Sequence, residues 1–268
     1  GGTGKTSLVI WLCNHLTSRK YKIGVISGGY KTNNPYDLQI VGDGAKVEDV
    51  GDEAILIKKS SKAIVCKCKD RKKAYEYLVK QFDLDIIISD DGLSHYNLKR
   101  DLNLVIVKEN RPFGNGLLLP AGPLREPPSS IKRYENVIVN KNKKSNLLGF
   151  SYDLSVVKDS TNTKEVDIYD ISGTTMHLVT AIANPELLIK YLNRLNIDLI
   201  THIYPDHYIF QEDDFKFEDD YKIIMTEKDF VKASKYSLKN TYYLPTKINV
   251  DNDIKIMLND KITELLKV

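Results

Sequence analysis

The first six residues, GGTGKT, have the residue types and spacing of a phosphate-binding loop. In such loops backbone N–H groups cradle a polyphosphate, a lysine reaches the terminal phosphates, and a Ser or Thr hydroxyl holds Mg²⁺. The apolar residues between Leu8 and Leu16 are typical of a buried helix whose positive N-terminal end faces those phosphates. The stretch therefore predicts a nucleotide site formed by Gly1, Gly2, Thr3, Gly4, Lys5 and Thr6.

This phosphate-binding motif is cut at its start. A complete loop has a further residue, usually Gly, five positions before Gly4, and a buried strand leads into it. The chain opens on Gly1 without an initiating Met. We therefore expect an N-terminal segment, with a strand and a helix, to precede the sequence.

A second stretch whose residue types could take part in catalysis runs from residue 85 to residue 92, DIIISDDG. A β-branched run that ends in acids is what a Walker B strand looks like, and its terminal carboxylates meet Mg²⁺ beside the phosphate loop. The alternative is an ordinary strand that ends in an Asp-Gly turn. Because a phosphate loop lies upstream, we predict that Asp90 and Asp91 are metal ligands.

A third stretch, LLLPAGPLREPP at residues 117–128, contains four prolines. Prolines fix backbone angles, so this loop is expected to be rigid and could hold Arg125 and Glu126 in place. From the residues alone, a stiff connector with a surface ion pair is an equally good interpretation.

Hydrophobic runs alternate between strand and helix character along the chain, which predicts a P-loop-type α/β fold. We expect a mostly parallel sheet with helices on both faces and a second, smaller α/β domain. A polar segment at residues 141–164 places the boundary, giving a nucleotide-binding domain at 1–150 and a second domain at 151–268. Residues 31–50, rich in Gly, Asn and Asp, are predicted to be loop and hairpin.

Composition excludes several classes of protein. The formal net charge of +3 is small and the lysines are scattered, so we expect no nucleic-acid partner. The three cysteines form no disulfide framework and have no zinc-site spacing, which fits a reducing cytosolic setting. No apolar run is long enough to span a bilayer.

Taken together, these motifs closely resemble those of the tetraacyldisaccharide 4'-kinases. The resemblance rests, in chain order, on GGTGKT, SGGY at 27–30, GDE at 51–53, DDGLSH at 90–95, FGNG at 113–116, LLPAGPLREP at 118–127, PDH at 205–207 and TEKD at 226–229. It implies transfer of the ATP γ-phosphate to the 4'-hydroxyl of tetraacyldisaccharide 1-phosphate, in lipid A biosynthesis. It further implies a peripheral enzyme at the cytoplasmic face of the bacterial inner membrane, with no obligate protein partner evident.

The same resemblance implies roles for individual residues. Lys5 and Thr6 would bind the β- and γ-phosphates and Mg²⁺, with Asp90 and Asp91 as further metal ligands. Arg125 would contact the nucleotide phosphates and Glu126 the metal. Asp52 and His207 would form the catalytic pair, in which the carboxylate accepts the proton of the sugar hydroxyl and the imidazole orients and tunes it.

Two positions depart from the family pattern. The family usually has Ser-Arg-Gly-Tyr where this chain has Ser27-Gly28-Gly29-Tyr30, so a guanidinium is missing at Gly28. If that arginine contacts the substrate phosphate, affinity suffers unless a neighbour such as Lys31 compensates. Ser94 replaces the usual Gln of the DDGLQH motif.

Two alternative functions stay open at this point. A ParA/MinD-like regulatory ATPase also uses a GGTGKT loop and would have Lys immediately before Gly1, but it does not explain PAGPLREP. The other alternative is a P-loop kinase of a soluble small molecule.

Overall fold

The computed structural model describes residues 2–29, 32–236 and 238–267. The α-helices in these ranges are α1 (Lys5–Ser18), α2 (Val47–Val50), α3 (Asp52–Ser60), α4 (Arg71–Gln81), α5 (Glu186–Asn193), α6 (Glu227–Ala233) and α7 (Asn252–Leu265). The strands are β1 (Ile23–Ser27), β2 (Gln39–Ile40), β3 (Ile64–Lys67), β4 (Ile86–Ser89), β5 (Val105–Lys108), β6 (Val137–Asn140), β7 (Gly149–Tyr152), β8 (Val156–Asp159), β9 (Glu165–Asp167), β10 (Thr175–Thr180), β11 (Asp198–Ile203), β12 (Lys222–Thr226), β13 (Thr241–Leu244) and β14 (Ile248–Val250).

The first sheet has the strand order β2-β3-β1-β4. The strands β3 and β4 pair with β1 in parallel, and β2 adds an antiparallel edge. Parallel strands covered on both faces consist of continuous apolar residues, which is why the run from Ile23 to Ile26 is fully buried. Because β1 and β4 are parallel neighbours, their carboxyl ends lie together beside the phosphate loop.

The second sheet combines distant parts of the chain in the order β14-β7-β6-β5. Here β5, β6 and β7 are parallel, and β14, from the end of the chain, pairs antiparallel with β7. The inward faces of α1 and α7 share a core with this sheet, in which Leu8, Phe150 and Leu258 are buried. The last strand and helix therefore pack with the phosphate-loop half of the molecule.

The third sheet forms the second half of the molecule, in the order β11-β10-β12-β13-β8-β9. Its first four strands are parallel, while β8 and β9 form an antiparallel extension. The helix α5 covers one face with Leu188 and Leu192. The helix α6 links this half to the first, because its Val231 enters the core around α1 and α3.

The predicted fold class is confirmed: the chain is α/β with mostly parallel sheets. The segment 31–50, predicted as loop and hairpin, also contains the short helix α2, whose Val50 is buried. The division at residue 150 stays a prediction, and the contacts of β14 and α7 favour assigning them to the first half. None of the helices in the described residues is both long and apolar enough to cross a membrane.

Candidate active site

The phosphate loop runs directly into α1. Gly2 and Gly4 have φ angles of 71° and 94°, a left-handed backbone that favours glycine. A Cβ on Gly4 would also lie 2.8 Å from the Phe150 ring. Asn140, at the end of β6, donates to the carbonyl of Thr3 at 2.9 Å and anchors the loop from outside.

The phosphate-contacting side chains start that helix. Lys5 is its first residue and the half-buried Thr6 lies in its first turn, so both stand at the positive end of the helix dipole. This is the arrangement that the sequence predicts for binding phosphates. Gly1 was predicted to belong to the same loop, but it lies outside the described residues.

Two carboxylates follow β4 and face the phosphate loop. Lys5 Nζ lies 3.6 Å from Asp91 Oδ1, and Asp90 is 3% exposed. Burial and the charge of Glu53 raise the pKa of Asp90 to about 7. Burial would also raise the pKa of Asp91, but the cations Lys5 and Arg125 outweigh it and the pKa is lowered. Asp91 is thus held as an anion beside Lys5.

Asp52 and His207 come together from different halves of the molecule. Asp52 is the first residue of α3 and is 4% exposed, while His207 follows β11. His207 Nδ1 lies 3.2 Å from Asp52 Oδ2, and Lys228 Nζ lies 3.3 Å from the same oxygen. Burial would raise the pKa of Asp52, but the His207 hydrogen bond and the Lys228 charge outweigh it and hold the pKa well below its ordinary range.

The backbone around His207 is itself unusual. Its φ angle is 64°, a left-handed conformation that is uncommon for residues other than glycine. Its Nε2 lies 3.7 Å from Asp206 Oδ2, so carboxylates flank the ring on both nitrogens. Strained residues of this kind concentrate at functional sites, where the surrounding structure fixes them.

Glu53 is a further carboxylate that interacts electrostatically with both the Asp52 group and the phosphate-loop group. Burial and the charge of Asp52 raise its pKa, while Lys5 acts in the opposite direction. Its charge also acts on Asp90. The Asp52 side of the site and the phosphate-loop side are therefore electrostatically one site.

Arg125 and Glu126 occupy different surroundings. Arg125 Nη2 lies 3.1 Å from Asp91 Oδ2, and its Nη1 donates to Ser94 Oγ at 2.9 Å. Ser94 is thus a direct hydrogen-bond partner of the arginine. Glu126 instead accepts from the Tyr96 hydroxyl at 2.9 Å and pairs with Arg133 at 2.6 Å. It would have to share or release these partners to reach a metal, and its role stays a prediction.

An arginine from another part of the chain lies beside Gly28. The buried side chain of Arg71 lies against Gly28, where an added Cβ would be 2.8 Å from Arg71 Nη2. This arginine donates to the carbonyl of Asp90 at 2.9 Å. Tyr30 and Lys31, the latter suggested as a compensating cation, lie outside the described residues.

The residues present fit a magnesium ion. Asp90 Oδ1 is buried without a hydrogen-bond partner, which is costly unless a cation or water satisfies it. Asp91 and the Thr6 hydroxyl are further oxygen donors nearby. Over the described residues no three His, Cys, Asp or Glu side chains form a metal cage. Mg²⁺ commonly takes one or two carboxylates and completes its shell with phosphates and water, so this donor set suits it.

A phosphate loop, a strand that ends in two carboxylates and a mostly parallel α/β sheet together define a P-loop nucleotide-binding protein. The family model described as tetraacyldisaccharide-1-P 4'-kinase matches residues 1–263. The chain belongs to this family, which confirms the resemblance drawn from its motifs.

Individual relatives agree with this assignment. A tetraacyldisaccharide 4'-kinase of Coxiella burnetii is 38% identical over 236 residues, covering 88% of this chain and 70% of the relative. A tetraacyldisaccharide 4'-kinase of Methylobacillus flagellatus is 34% identical over 271 residues, covering 100% of this chain and 80% of the relative. The crystal structure of LpxK from Aquifex aeolicus in complex with ATP has 25% identity and a TM-score of 0.77, covering 100% of this chain and 85% of that one.

Sequence reasoning missed three charged residues that contact or act on the predicted ones: Glu53, Arg71 and Lys228. Glu53 and Lys228 lie inside the GDE and TEKD motifs, so the motif itself was a signal. Arg71 begins α4 with no local pattern to set it apart from a surface arginine. Family membership also decides against the ParA/MinD-like regulator as an interpretation of the phosphate loop.

Proposed function

We propose that this chain transfers the γ-phosphate of ATP to the 4'-hydroxyl of tetraacyldisaccharide 1-phosphate, a step of lipid A biosynthesis. Membership of the kinase family supports the reaction class and the substrate. Two sets of contacts carry the proposal: Asp91 with Lys5 and Arg125, and Asp52 with His207. Glu53 interacts electrostatically with both sets.

The phosphates of ATP would lie in the loop at the start of α1. Gly1, Gly2, Thr3 and Gly4 would offer backbone N–H groups, and Lys5 would reach the β- and γ-phosphates. Arg125, held by Asp91 and Ser94, would meet the charge that spreads over the γ-phosphate during transfer. Phosphoryl transfer depends mainly on such positioning and charge neutralisation.

Asp90, Asp91 and the Thr6 hydroxyl would hold Mg²⁺, with Glu126 as the further ligand implied by the family. When bound, the ion supplies neutralisation of the charge on the β- and γ-phosphates. Asp90 needs a counter-charge because it is buried beside two other carboxylates. Glu53 adds to the negative charge that the ion would neutralise, since its charge acts on Asp90.

The acceptor hydroxyl would be deprotonated by Asp52. The hydroxyl oxygen would form a bond to the γ-phosphorus while the bond from that phosphorus to the bridging oxygen breaks. ADP would leave with the electron pair of the broken bond, and the hydroxyl proton would pass to the Asp52 carboxylate. Asp52 Oδ1 accepts one backbone N–H, from Glu53 at 2.9 Å, and keeps a lone pair for this proton. A weakly basic carboxylate suffices because the proton moves late in a loose transition state.

An acylated substrate favours an enzyme that works at a membrane. We propose peripheral attachment at the cytoplasmic face of the bacterial inner membrane, with the lipid disaccharide as its partner. The exposed leucines at residues 117–119 support a lipid-facing surface next to the phosphate site.

Acceptor choice tests the proposal. ADP release by the full-length protein with Mg-ATP is measured with three acceptors: tetraacyldisaccharide 1-phosphate in detergent micelles, the deacylated disaccharide 1-phosphate, and free glucosamine. We expect the lipid to stimulate ADP release most strongly. Stimulation by glucosamine, with none by the lipid, would instead identify a kinase of a soluble small molecule.

A further inference from the structure

Three consecutive leucines project into solvent from the loop that carries the arginine of the phosphate site. Leu117, Leu118 and Leu119 are 51%, 44% and 62% exposed. Single exposed leucines are ordinary, but adjacent ones in a loop form an apolar patch that water solvates poorly. We name residues 113–124 the leucine loop.

The leucine loop is ordered by its own internal hydrogen bonds. The N–H of Leu119 donates to the carbonyl of Leu124 at 2.9 Å, and the N–H of Leu124 donates to Leu117 at 3.2 Å. The Asn115 side chain bridges the loop by donating to the carbonyl of Ala121 at 3.0 Å. The leucines are therefore presented on a fixed frame.

This frame ends at the phosphate site. Leu124 is followed directly by Arg125, whose guanidinium lies 3.1 Å from Asp91. Since the backbone of Leu117 is hydrogen-bonded to that of Leu124, the leucines lie close to Arg125, which contacts Asp91. An apolar group bound at the leucines would be held close to the reacting phosphate.

The charges around the leucine loop are mainly basic, and the nearest acid after it, Glu126, is paired with Arg133. Residues 110–125 contain Arg111 and Arg125 and no acidic residue. The exposed Lys132 and Arg133 follow shortly after. Basic residues beside an apolar patch suit an anionic lipid surface, where the cations meet headgroups and the leucines enter the acyl region.

We propose that the leucine loop inserts into the acyl layer of an anionic membrane and so delivers acylated substrate to Arg125. The proposal rests on the proposed kinase function for its substrate, but insertion itself does not require turnover. The predicted partner is a lipid surface, not a second protein.

A fluorescent probe at Leu118 tests insertion directly. The three cysteines of this sequence are buried, so a Leu118→Cys variant can be labelled at that position with an environment-sensitive NBD group. Phosphatidylcholine vesicles with and without phosphatidylglycerol are then added. The same label at Leu187, which is 71% exposed on α5, is the matched control.

We expect the probe at position 118 to brighten and shift to the blue with the anionic vesicles, less so with neutral ones, and the probe at 187 to stay unchanged. No change at 118 would overturn the proposal. A blue shift that grows with protein concentration in the absence of vesicles would also overturn it, because a second copy of the chain would then be the occupant.

Kinetics separate this proposal from the kinase function. In a Leu117→Asp/Leu119→Asp variant we expect the KM for micellar tetraacyldisaccharide 1-phosphate to rise about tenfold or more, with kcat and ATP affinity little changed. The control is Leu187→Asp. An unchanged KM in an active enzyme refutes the loop's role, whereas absence of lipid phosphorylation by the unmodified protein refutes the proposed function.

Discussion

His207 and Asp52 are 155 residues apart in the chain, yet His207 Nδ1 lies 3.2 Å from Asp52 Oδ2. One residue follows a strand of the third sheet and the other opens a helix packed on the first. Their contact therefore depends on how the two halves of the molecule pack. Lys228, on a helix that contacts both halves, approaches the same carboxylate oxygen at 3.3 Å.

Removing either member of this pair should slow chemistry without releasing ATP. We predict that Asp52→Ala lowers kcat by about 100-fold or more, because the acceptor hydroxyl loses its base. His207→Ala should also remove most of kcat, since Asp52 loses the hydrogen bond that orients it. Steady-state kinetics and ATP titration measure both effects. Asp43→Ala, at an exposed aspartate earlier in the same half, is the control; near-normal turnover in Asp52→Ala or His207→Ala would reject the assignment.

A buried ion pair is predicted to hold α6 in place. Asp229 Oδ1 lies 2.8 Å from Lys232 Nζ, with side-chain exposures of 0% and 3%. Asp229 also accepts hydrogen bonds from the hydroxyls of Thr180 and Thr226, both at 2.8 Å. Asp229→Ala would leave a buried ammonium unpaired and should lower the free energy of unfolding by about 3–5 kcal/mol.

Chemical denaturation compares that variant with two others. Adding Lys232→Met to Asp229→Ala should restore part of the lost stability, because the unpaired charge is removed as well. Asp220→Ala, at an exposed position, should change stability by less than about 0.5 kcal/mol. A double variant less stable than Asp229→Ala alone would contradict this account of the pair.

Stability should fall on mild acidification because of a histidine in the third sheet. His202 Nε2 lies 3.0 Å from His177 Nδ1, and His177 Nε2 lies 2.8 Å from Asp219 Oδ1. Burial and the neighbouring His177 lower the pKa of His202, although Asp219 opposes them. The unfolded chain then binds more protons as pH falls through about 6.5, so the free energy of unfolding decreases.

Denaturation midpoints at about pH 7.5 and about pH 5.5 measure this effect. In His202→Gln the difference between the two midpoints should be smaller than in the unmodified protein. An equal or larger difference in the variant would show that other groups carry the acid sensitivity.

The native thiols should be unreactive. Burial raises the pKa of both Cys13 and Cys66 to about 12, and Cys68 is also fully buried. Thiolate, the reactive form, is thus scarce and inaccessible. We expect slow reaction with a disulfide reagent at neutral pH, and rapid reaction of three thiols after denaturation. Rapid labelling of the native protein would contradict the burial of these side chains.

Many strands and helices of the fold could be predicted from local sequence patterns. The strand before Asp90 and the helix after Lys5 could be recognised because buried parallel strands and buried helices each need continuous apolar residues. The return of β14 to pair with β7 could not, because that pairing joins residues about a hundred positions apart and leaves no periodic signal in either strand. The helix α2 was missed because four residues are too few to show a helical period.

Some residues of the candidate site could likewise be predicted from the sequence, and others could not. Lys5 and Asp91 belong to motifs with a known mechanism, so their proximity could be predicted. The approach of Lys228 to Asp52 depends on how α6 packs against α3, and the contact of Arg71 with the Asp90 carbonyl depends on the depth at which α4 sits. Glu126 shows the reverse case: its motif implies a metal ligand, while its contacts are with Tyr96 and Arg133.

The central claim is that the phosphate loop and the Asp52 pair serve one phosphoryl transfer to a lipid. Transfer of labelled γ-phosphate from Mg-ATP to tetraacyldisaccharide 1-phosphate in micelles tests it most directly, with the full-length protein and Lys5→Ala compared side by side. We predict label on the lipid at the 4' position, lost in Lys5→Ala. Intact ATP binding without any label on the lipid would contradict the account.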